Sequence, residues 1–176
     1  LYASCLEILK QNGTLNAVSV EILTALRTNL SAHFPGVNSD DRERLKQEVD
    51  RCLFSSPADA EKFLREYIEP QLACMECKSA PVNWLAYDEA FNFLQNTLPL
   101  EWLEDFPDMN FSAQKELLQL AIQFGDREKL KEIVQQYCEK LLNITPTLED
   151  EDIKFKRNFW FAHAFYLLDD NYEIFW

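Results

Sequence analysis

The sequence is poor in glycine and histidine, and it has no long apolar run. Its three glycines are Gly13, Gly36 and Gly125, and none lies in a glycine-rich loop of the kind that cradles phosphates. The only histidines, His33 and His163, limit the chemistry that depends on imidazole. No apolar run reaches the roughly 18 residues of a membrane-spanning helix. These absences argue against nucleotide-binding loops and favour helices over a turn-rich β fold.

Basic residues are also few. The chain has 17 Lys and Arg against 30 Asp and Glu, a formal net charge of −13. Phosphate backbones repel such a surface, so we do not expect a nucleic acid partner. The charge suits a protein partner with a basic surface or a basic peptide. Because 47% of the residues are hydrophobic, a chain of this length can bury a core, and we expect a folded domain.

The five cysteines are an odd number scattered along the chain, which is typical of reduced thiols in the cytoplasm or nucleus. We therefore expect an intracellular protein. Four Asn-x-Ser/Thr sequons, at Asn12, Asn29, Asn110 and Asn143, point instead toward secretion. The first residue is Leu1 rather than methionine, so we expect a single helical domain, residues 1–176, taken from a larger protein.

Apolar residues recur at three- and four-residue spacing, and no segment alternates with period two. This pattern predicts an all-α fold of eight or nine helices. The predicted connections between helices are short, and short connections make neighbouring helices antiparallel. We therefore expect an irregular array of stacked antiparallel hairpins, either α-solenoid-like or a compact bundle. The segments assigned to helices are 1–11, 15–34, 39–53, 57–70, 71–78, 83–97, a short helix or connector over 99–110, then 112–124, 127–142 and 151–168.

The clearest pair of helices lies in residues 112–142. Ser112 is placed to cap the first helix, Gly125 to end it, and Asp126 to cap the second. The segment resembles one hairpin of a tetratricopeptide-like or other α-solenoid. The likeness covers this hairpin alone, since no period of about 34 residues recurs elsewhere.

Cys74 and Cys77 have the C-x-x-C spacing that zinc and redox sites use. A structural zinc site needs four ligands, and remote residues such as Cys52 or His33 would have to supply the others. No βαβ pattern surrounds the pair to support a thioredoxin-like site. The plainer interpretation is two small side chains near a helix end, and we expect neither a metal nor a cofactor.

The last predicted helix, 151–168, is the most aromatic segment and contains RNFWFAH at 157–163. The R-N-x4-H spacing is similar to the motif of HEPN-superfamily ribonucleases, which are all-α and usually act as dimers. The resemblance implies metal-independent RNA cleavage by Arg157 and His163, with Asn158 assisting. Six positions along a helix place Arg157 and His163 about 120° apart. Trp160 also belongs to a wide apolar face, which favours a core helix.

Aromatic side chains interleaved with carboxylates in residues 101–109 suggest a partner-binding surface. A surface of this kind would dock a basic and apolar partner; alternatively, the aromatics of this connector fold back into the core. We expect a non-catalytic scaffold or adaptor domain, with the ribonuclease and an oligomerisation domain as alternatives. The candidate partner-binding residues are Trp102, Glu104, Asp105, Phe106, Asp108 and Met109.

Overall fold

A computed structural model describes residues 1–30, 38–74, 76–144 and 151–168, apart from the side chain of Asp152. All regular elements in these ranges are helical, so the predicted all-α class is confirmed. They are nine α-helices and one 3₁₀ helix, more elements than expected. No helix within these ranges is both long and apolar enough to cross a membrane. His33, the acids at 149–150 and the aromatic chain end at 172–176 lie outside the described residues.

The chain divides into two compact units, Leu1–Leu64 and Arg65–Trp176, and the boundary falls inside the fourth helix. The elements are α1 Tyr2–Asn12, α2 Val20–Leu30, α3 Ser39–Leu53, α4 Pro57–Ala73, α5 Trp84–Tyr87, the 3₁₀ helix Glu89–Leu94, α6 Leu98–Asp105, α7 Phe111–Phe124, α8 Arg127–Leu142 and α9 Glu151–Leu167.

The first unit packs α1, α2 and α3 around a leucine-rich core. As predicted, α1 ends at Gly13, which has φ 73° and donates its N–H to the Leu9 carbonyl at 2.9 Å. Asn38 caps α3, since its side chain accepts from the Asp40 N–H at 2.9 Å. The buried members of this core are Cys5, Leu9, Leu15, Leu23, Leu26, Leu30, Leu45 and Val49.

The second helix begins later than the sequence predicted. The Glu48 carboxylate accepts hydrogen bonds from the Thr14 hydroxyl at 2.8 Å and from the Leu15 N–H at 2.9 Å. These bonds hold the start of the predicted helix in a turn, so α2 begins only afterwards. Leu23, Leu26 and Leu30 form the buried face of α2, whereas Ile22 is exposed.

The fourth helix continues through Pro70, which was expected to end it or to start a new one. In the preceding turn, the Gln71 side-chain amide donates to the Tyr67 carbonyl at 2.7 Å. Pro70 has no N–H to donate to the Glu66 carbonyl, and the Gln71 bond reinforces the neighbouring carbonyl of the same turn. The described part of residues 71–78 therefore forms the end of α4 and a turn, and the separate helix predicted there is wrong.

The single helix predicted over 83–97 is divided at Asp88. Asp88 has an extended backbone, and its carboxylate accepts from the Ala90 N–H at 3.2 Å, so it starts the 3₁₀ helix instead of prolonging α5. The Trp84 ring stacks on those of Tyr67 and Phe91, with centroid distances of 5.1 and 6.1 Å. This stack holds α5 against both neighbours.

The residue predicted to cap α8 does so, whereas a different residue caps α7. Asn110, rather than Ser112, caps α7 by accepting from the Ala113 N–H at 2.9 Å. Asp126 caps α8 as predicted, accepting from the Lys129 N–H at 2.8 Å.

The ninth helix packs through Trp160, which is fully buried. Its ring stacks on Tyr137 of α8 at a centroid distance of 4.0 Å, and its Nε1 donates to the Gln114 Oε1 of α7 at 3.2 Å. This burial agrees with the interpretation of α9 as a core helix.

Candidate binding groove

Two adjoining clefts lie on the second unit. The first, of about 360 Å³, is walled by α5 and α7, and the second, of about 410 Å³, by α4, residues 79–83 and α7. Asn83 and Glu116 line both clefts, and we call the pair the Glu116 groove. Each volume falls in the range of roughly 300–1,000 Å³ that is usual for ligand sites.

A polar stripe on α7 forms one wall of the groove. Glu116, Gln119 and Gln123 are spaced three, four and seven residues apart, which places them on one helical face. The opposite wall carries Asn83 and Tyr87, at the two ends of α5. The stack of Trp84 on its neighbours positions this wall.

Amides and an aromatic ring dominate the groove chemically. Asn83, Gln119 and Gln123 are exposed, and each amide both donates and accepts hydrogen bonds, as a peptide backbone does. Tyr87 is 85% exposed, which is unusual for so large a side chain. A flat aromatic surface beside amides suits contact with an extended chain.

Among the described residues that line the two clefts, Glu116 is the one with a charged side chain. Burial raises its pKa, and the nearby charge of Lys115 and a hydrogen bond to Ser112 offset only part of this effect. The ionised carboxylate is therefore under-stabilised in the folded chain. A cation placed in the groove would supply the missing stabilisation.

The acidic segment predicted to bind a partner is less open than its sequence suggested. Trp102 is fully buried and donates its Nε1 hydrogen to Glu69 Oε1 at 3.0 Å, and Met109 is also buried. Neither side chain presents surface to a partner in this conformation. Both side chains face the interior of the second unit, as the alternative interpretation of this connector expected.

The exposed carboxylates of the same segment already have cationic neighbours. Glu104 pairs with Lys129 at 2.6 Å, and Asp108 pairs with Lys140. Asp105 is exposed and Phe106 is half-buried. The segment therefore offers an acidic, locally paired surface without the aromatic anchors expected of it.

The residues of the ribonuclease-like motif lie on α9, and two of them contact backbone carbonyls. The Arg157 guanidinium donates to the Leu141 and Ile144 carbonyls at 2.9 and 2.8 Å, which satisfies the C-terminal end of α8. Asn158 is exposed. The His163 Nδ1 lies 2.8 Å from the Phe159 carbonyl of its own helix. Arg157 and His163 thus contact different parts of the fold.

The cysteine pair lies beyond the end of α4, and both thiols are partly exposed. Within the described ranges, no three His, Cys, Asp or Glu side chains are grouped so that they could hold a metal ion.

The groove was not predicted from the sequence, because its residues come from separate segments. The one available signal was the stripe of Glu116, Gln119 and Gln123, which are polar at positions that a fully packed helix would leave to solvent.

Comparison of this chain with protein families, with curated proteins and with solved structures finds no match.

Proposed function

We propose that this chain is a protein-interaction domain whose Glu116 groove binds an extended segment of a partner that carries a Lys or Arg side chain. The observation that supports this is a cleft lined by amides and one under-stabilised carboxyl, with no Lys or Arg among the described residues of its lining.

The occupant follows from the groove's hydrogen-bonding capacity. Side-chain amides from Asn83, Gln119 and Gln123 match the donors and acceptors of an extended backbone. Glu116 would receive the basic side chain, and Tyr87 would cover an apolar part of the segment. The net charge of −13 would steer a basic partner toward the domain. Glu104, Asp105 and Asp108 would contribute to this steering without being the docking site.

The proposal also concerns how the helices are arranged. Helices α7 and α8, joined through Gly125 and Asp126, would be one member of an array of stacked antiparallel hairpins. Such arrays present side chains from several helices along one surface. This arrangement is the basis on which we propose a scaffold or adaptor role.

The test is selection of short random peptides on the immobilised chain, followed by affinity measurement with the enriched peptides. We expect enrichment of peptides that contain Lys or Arg. A charge-assisted hydrogen bond contributes about 1.5–3 kcal/mol, so Glu116→Gln is expected to weaken binding by roughly ten- to a hundredfold. Glu116→Lys is expected to select acidic peptides instead.

Glu128→Lys provides the matched control, because it makes the same charge change at an exposed position of α8 outside the groove. It should retain the wild-type peptides and affinity. The proposal is wrong if no peptide is enriched over a blank surface, or if the enriched peptides bind equally to the two Lys variants. Circular dichroism establishes that each variant is folded.

Self-association is a second candidate function, and the outer face of α9 favours it. Phe155, Phe165 and Tyr166 are 62%, 61% and 75% exposed along one stripe that also contains Asn158 and Ala162. The stripe is symmetric about position 160, with aromatics at both ends and small Ala162 near the centre. Two copies of α9 could therefore pair antiparallel about a two-fold axis.

The available area predicts a weak dimer. Fully buried aromatic side chains cover about 150–250 Å² each, so the three exposed rings offer roughly 400 Å² per protomer, about half of a standard interface. Sedimentation should show association that rises with protein concentration and with salt, because salt screens the charge of −13. Phe165→Lys should abolish it, whereas Ile122→Lys on α7 should not. A monomer at every concentration would exclude this function.

A further inference from the structure

Cys74 and Cys77 are held together by a turn. Cys74 directly follows α4, and the Cys77 N–H donates to the Cys74 carbonyl at 3.2 Å. The end residues of a four-residue turn have Cα atoms within roughly 7 Å. Disulfides usually need Cα atoms about 4.4–6.8 Å apart. The turn therefore allows a bond between the two sulfurs, and both side chains are partly exposed to a dissolved oxidant.

The two thiols are not equivalent. The Cys77 thiol donates a hydrogen bond to the Cys74 sulfur, and the backbone N–H groups of Glu76 and Cys77 donate to the same sulfur. These bonds, that from the Cys77 thiol above all, lower the pKa of Cys74 despite burial and the opposing charge of Glu76. The same thiol–thiol bond raises the pKa of Cys77. Cys74 is thereby the better nucleophile at neutral pH.

The other three cysteines have the opposite character. Cys5 and Cys138 are buried, and burial raises the pKa of Cys138 to about 12. Cys52 is only partly buried, but burial and then the charge of Glu48 raise its pKa as well. Cys74 is the one cysteine of the five whose pKa is lowered.

We propose that Cys74 and Cys77 form a thiol–disulfide exchange site that a low-molecular-weight disulfide such as glutathione disulfide oxidises. The Cys74 sulfur attacks one sulfur of glutathione disulfide, whose S–S bond breaks, and the departing glutathione thiolate takes up a proton. The Cys77 thiol then loses its proton and attacks the Cys74 sulfur, which expels the second glutathione. Two protein thiols lose two electrons and two protons, and one glutathione disulfide becomes two glutathione thiols.

The test is incubation of the folded chain with glutathione disulfide, acid quenching and peptide mapping by mass spectrometry. The expected product is a Cys74–Cys77 disulfide, with the other cysteines still reduced. Cys77→Ser should accumulate a mixed disulfide with glutathione on Cys74. Cys74→Ser should react at Cys77 about tenfold more slowly or worse, because the activated thiolate is missing. Cys52→Ser, the matched control, should react as the wild type does.

Two results would overturn the proposal. One is modification of Cys77 in Cys74→Ser as fast as that of Cys74 in Cys77→Ser, which would show that Cys74 is not activated. The other is a wild-type chain that ends with glutathione on a single cysteine and no internal disulfide, which would show that the turn does not allow closure. Far-UV circular dichroism of each serine variant ensures that the rates refer to folded chains.

Discussion

Replacement of Gln114 tests the polar network that joins α7, α9 and the segment before α7. Gln114 is 3% exposed, and its amide group donates to the Pro107 and Met109 carbonyls at 3.2 and 3.1 Å. Its oxygen accepts from Trp160 Nε1 at 3.2 Å. Gln114→Leu removes all three bonds and leaves the Met109 carbonyl and the Trp160 N–H without this partner in the interior.

The expected loss follows from these three bonds. Each contributes about 1 kcal/mol net, and the leucine returns about 1 kcal/mol through apolar burial. We therefore expect Gln114→Leu to lower the free energy of unfolding by about 2 kcal/mol. Urea denaturation followed by far-UV circular dichroism measures it, since that signal does not depend on Trp160.

A double-mutant cycle separates the indole bond from the other two. Trp160→Phe keeps most of the stacking on Tyr137 but removes the N–H, so Gln114→Leu and Trp160→Phe should be coupled by about 1 kcal/mol. Gln119→Leu is the matched control, because the same change at an exposed position of α7 should alter stability by about 0.5 kcal/mol or less. A Gln114→Leu chain as stable as the control, or zero coupling, would refute the network.

Further predictions concern two carboxyls, two glycines and one histidine. Hydrogen bonds lower the pKa of Glu48 from 4.5 to about 2, so its stabilisation is present above about pH 4.5 and is lost toward pH 2. Glu48→Gln should cost about 1 kcal/mol at neutral pH, and pH-dependent urea denaturation should show this cost vanishing in that window. Burial raises the pKa of Glu116, so Glu116→Gln should raise the thermal midpoint at pH 7 and have no such effect in acid; a lower midpoint at pH 7 would contradict this. Gly125→Ala would place a Cβ 2.7 Å from a backbone oxygen of α7 and should cost roughly 2–3 kcal/mol. At Gly13 nothing lies within 4 Å, so the alanine there should cost only the left-handed strain of about 1 kcal/mol; denaturation midpoints in the reverse order would count against this account. RNA incubated with the wild-type chain and with His163→Ala should show the same background cleavage, and faster cleavage by the wild type would support the ribonuclease alternative.

Local signals predicted much of the secondary structure. Gly13 and Asp126 could be assigned from sequence because a helix end needs its hydrogen-bonding groups satisfied by residues nearby. Where the assignment failed, the deciding partner was elsewhere or the signal was ambiguous. Glu48, which is distant in sequence, keeps Leu15 out of α2. Asp88, read as one residue of a helix, acts as a cap that divides it.

The candidate groove could not be predicted in the same way. Its walls come from α4, residues 79–87 and α7, so the packing of α5 brings together side chains that no sequence window contains. The predicted acidic segment shows the converse limit of sequence reasoning, because two of its apolar members are buried. The sequence does not show that Trp102 and Met109 are buried in the fold. An aromatic residue between acidic residues has the same sequence context whether its side chain faces solvent or the core.

Two carboxyls of this chain have pKa shifts in opposite directions, and the physical causes differ. Glu48 accepts bonds from Arg51, Leu15 and Thr14, so its carboxylate oxygens join α3 to the turn before α2. At Glu116 burial outweighs every favourable interaction. A neutral amide of the same shape would fold at least as well there. Under the proposed function, a positively charged ligand in the open cleft would stabilise this carboxyl only when bound.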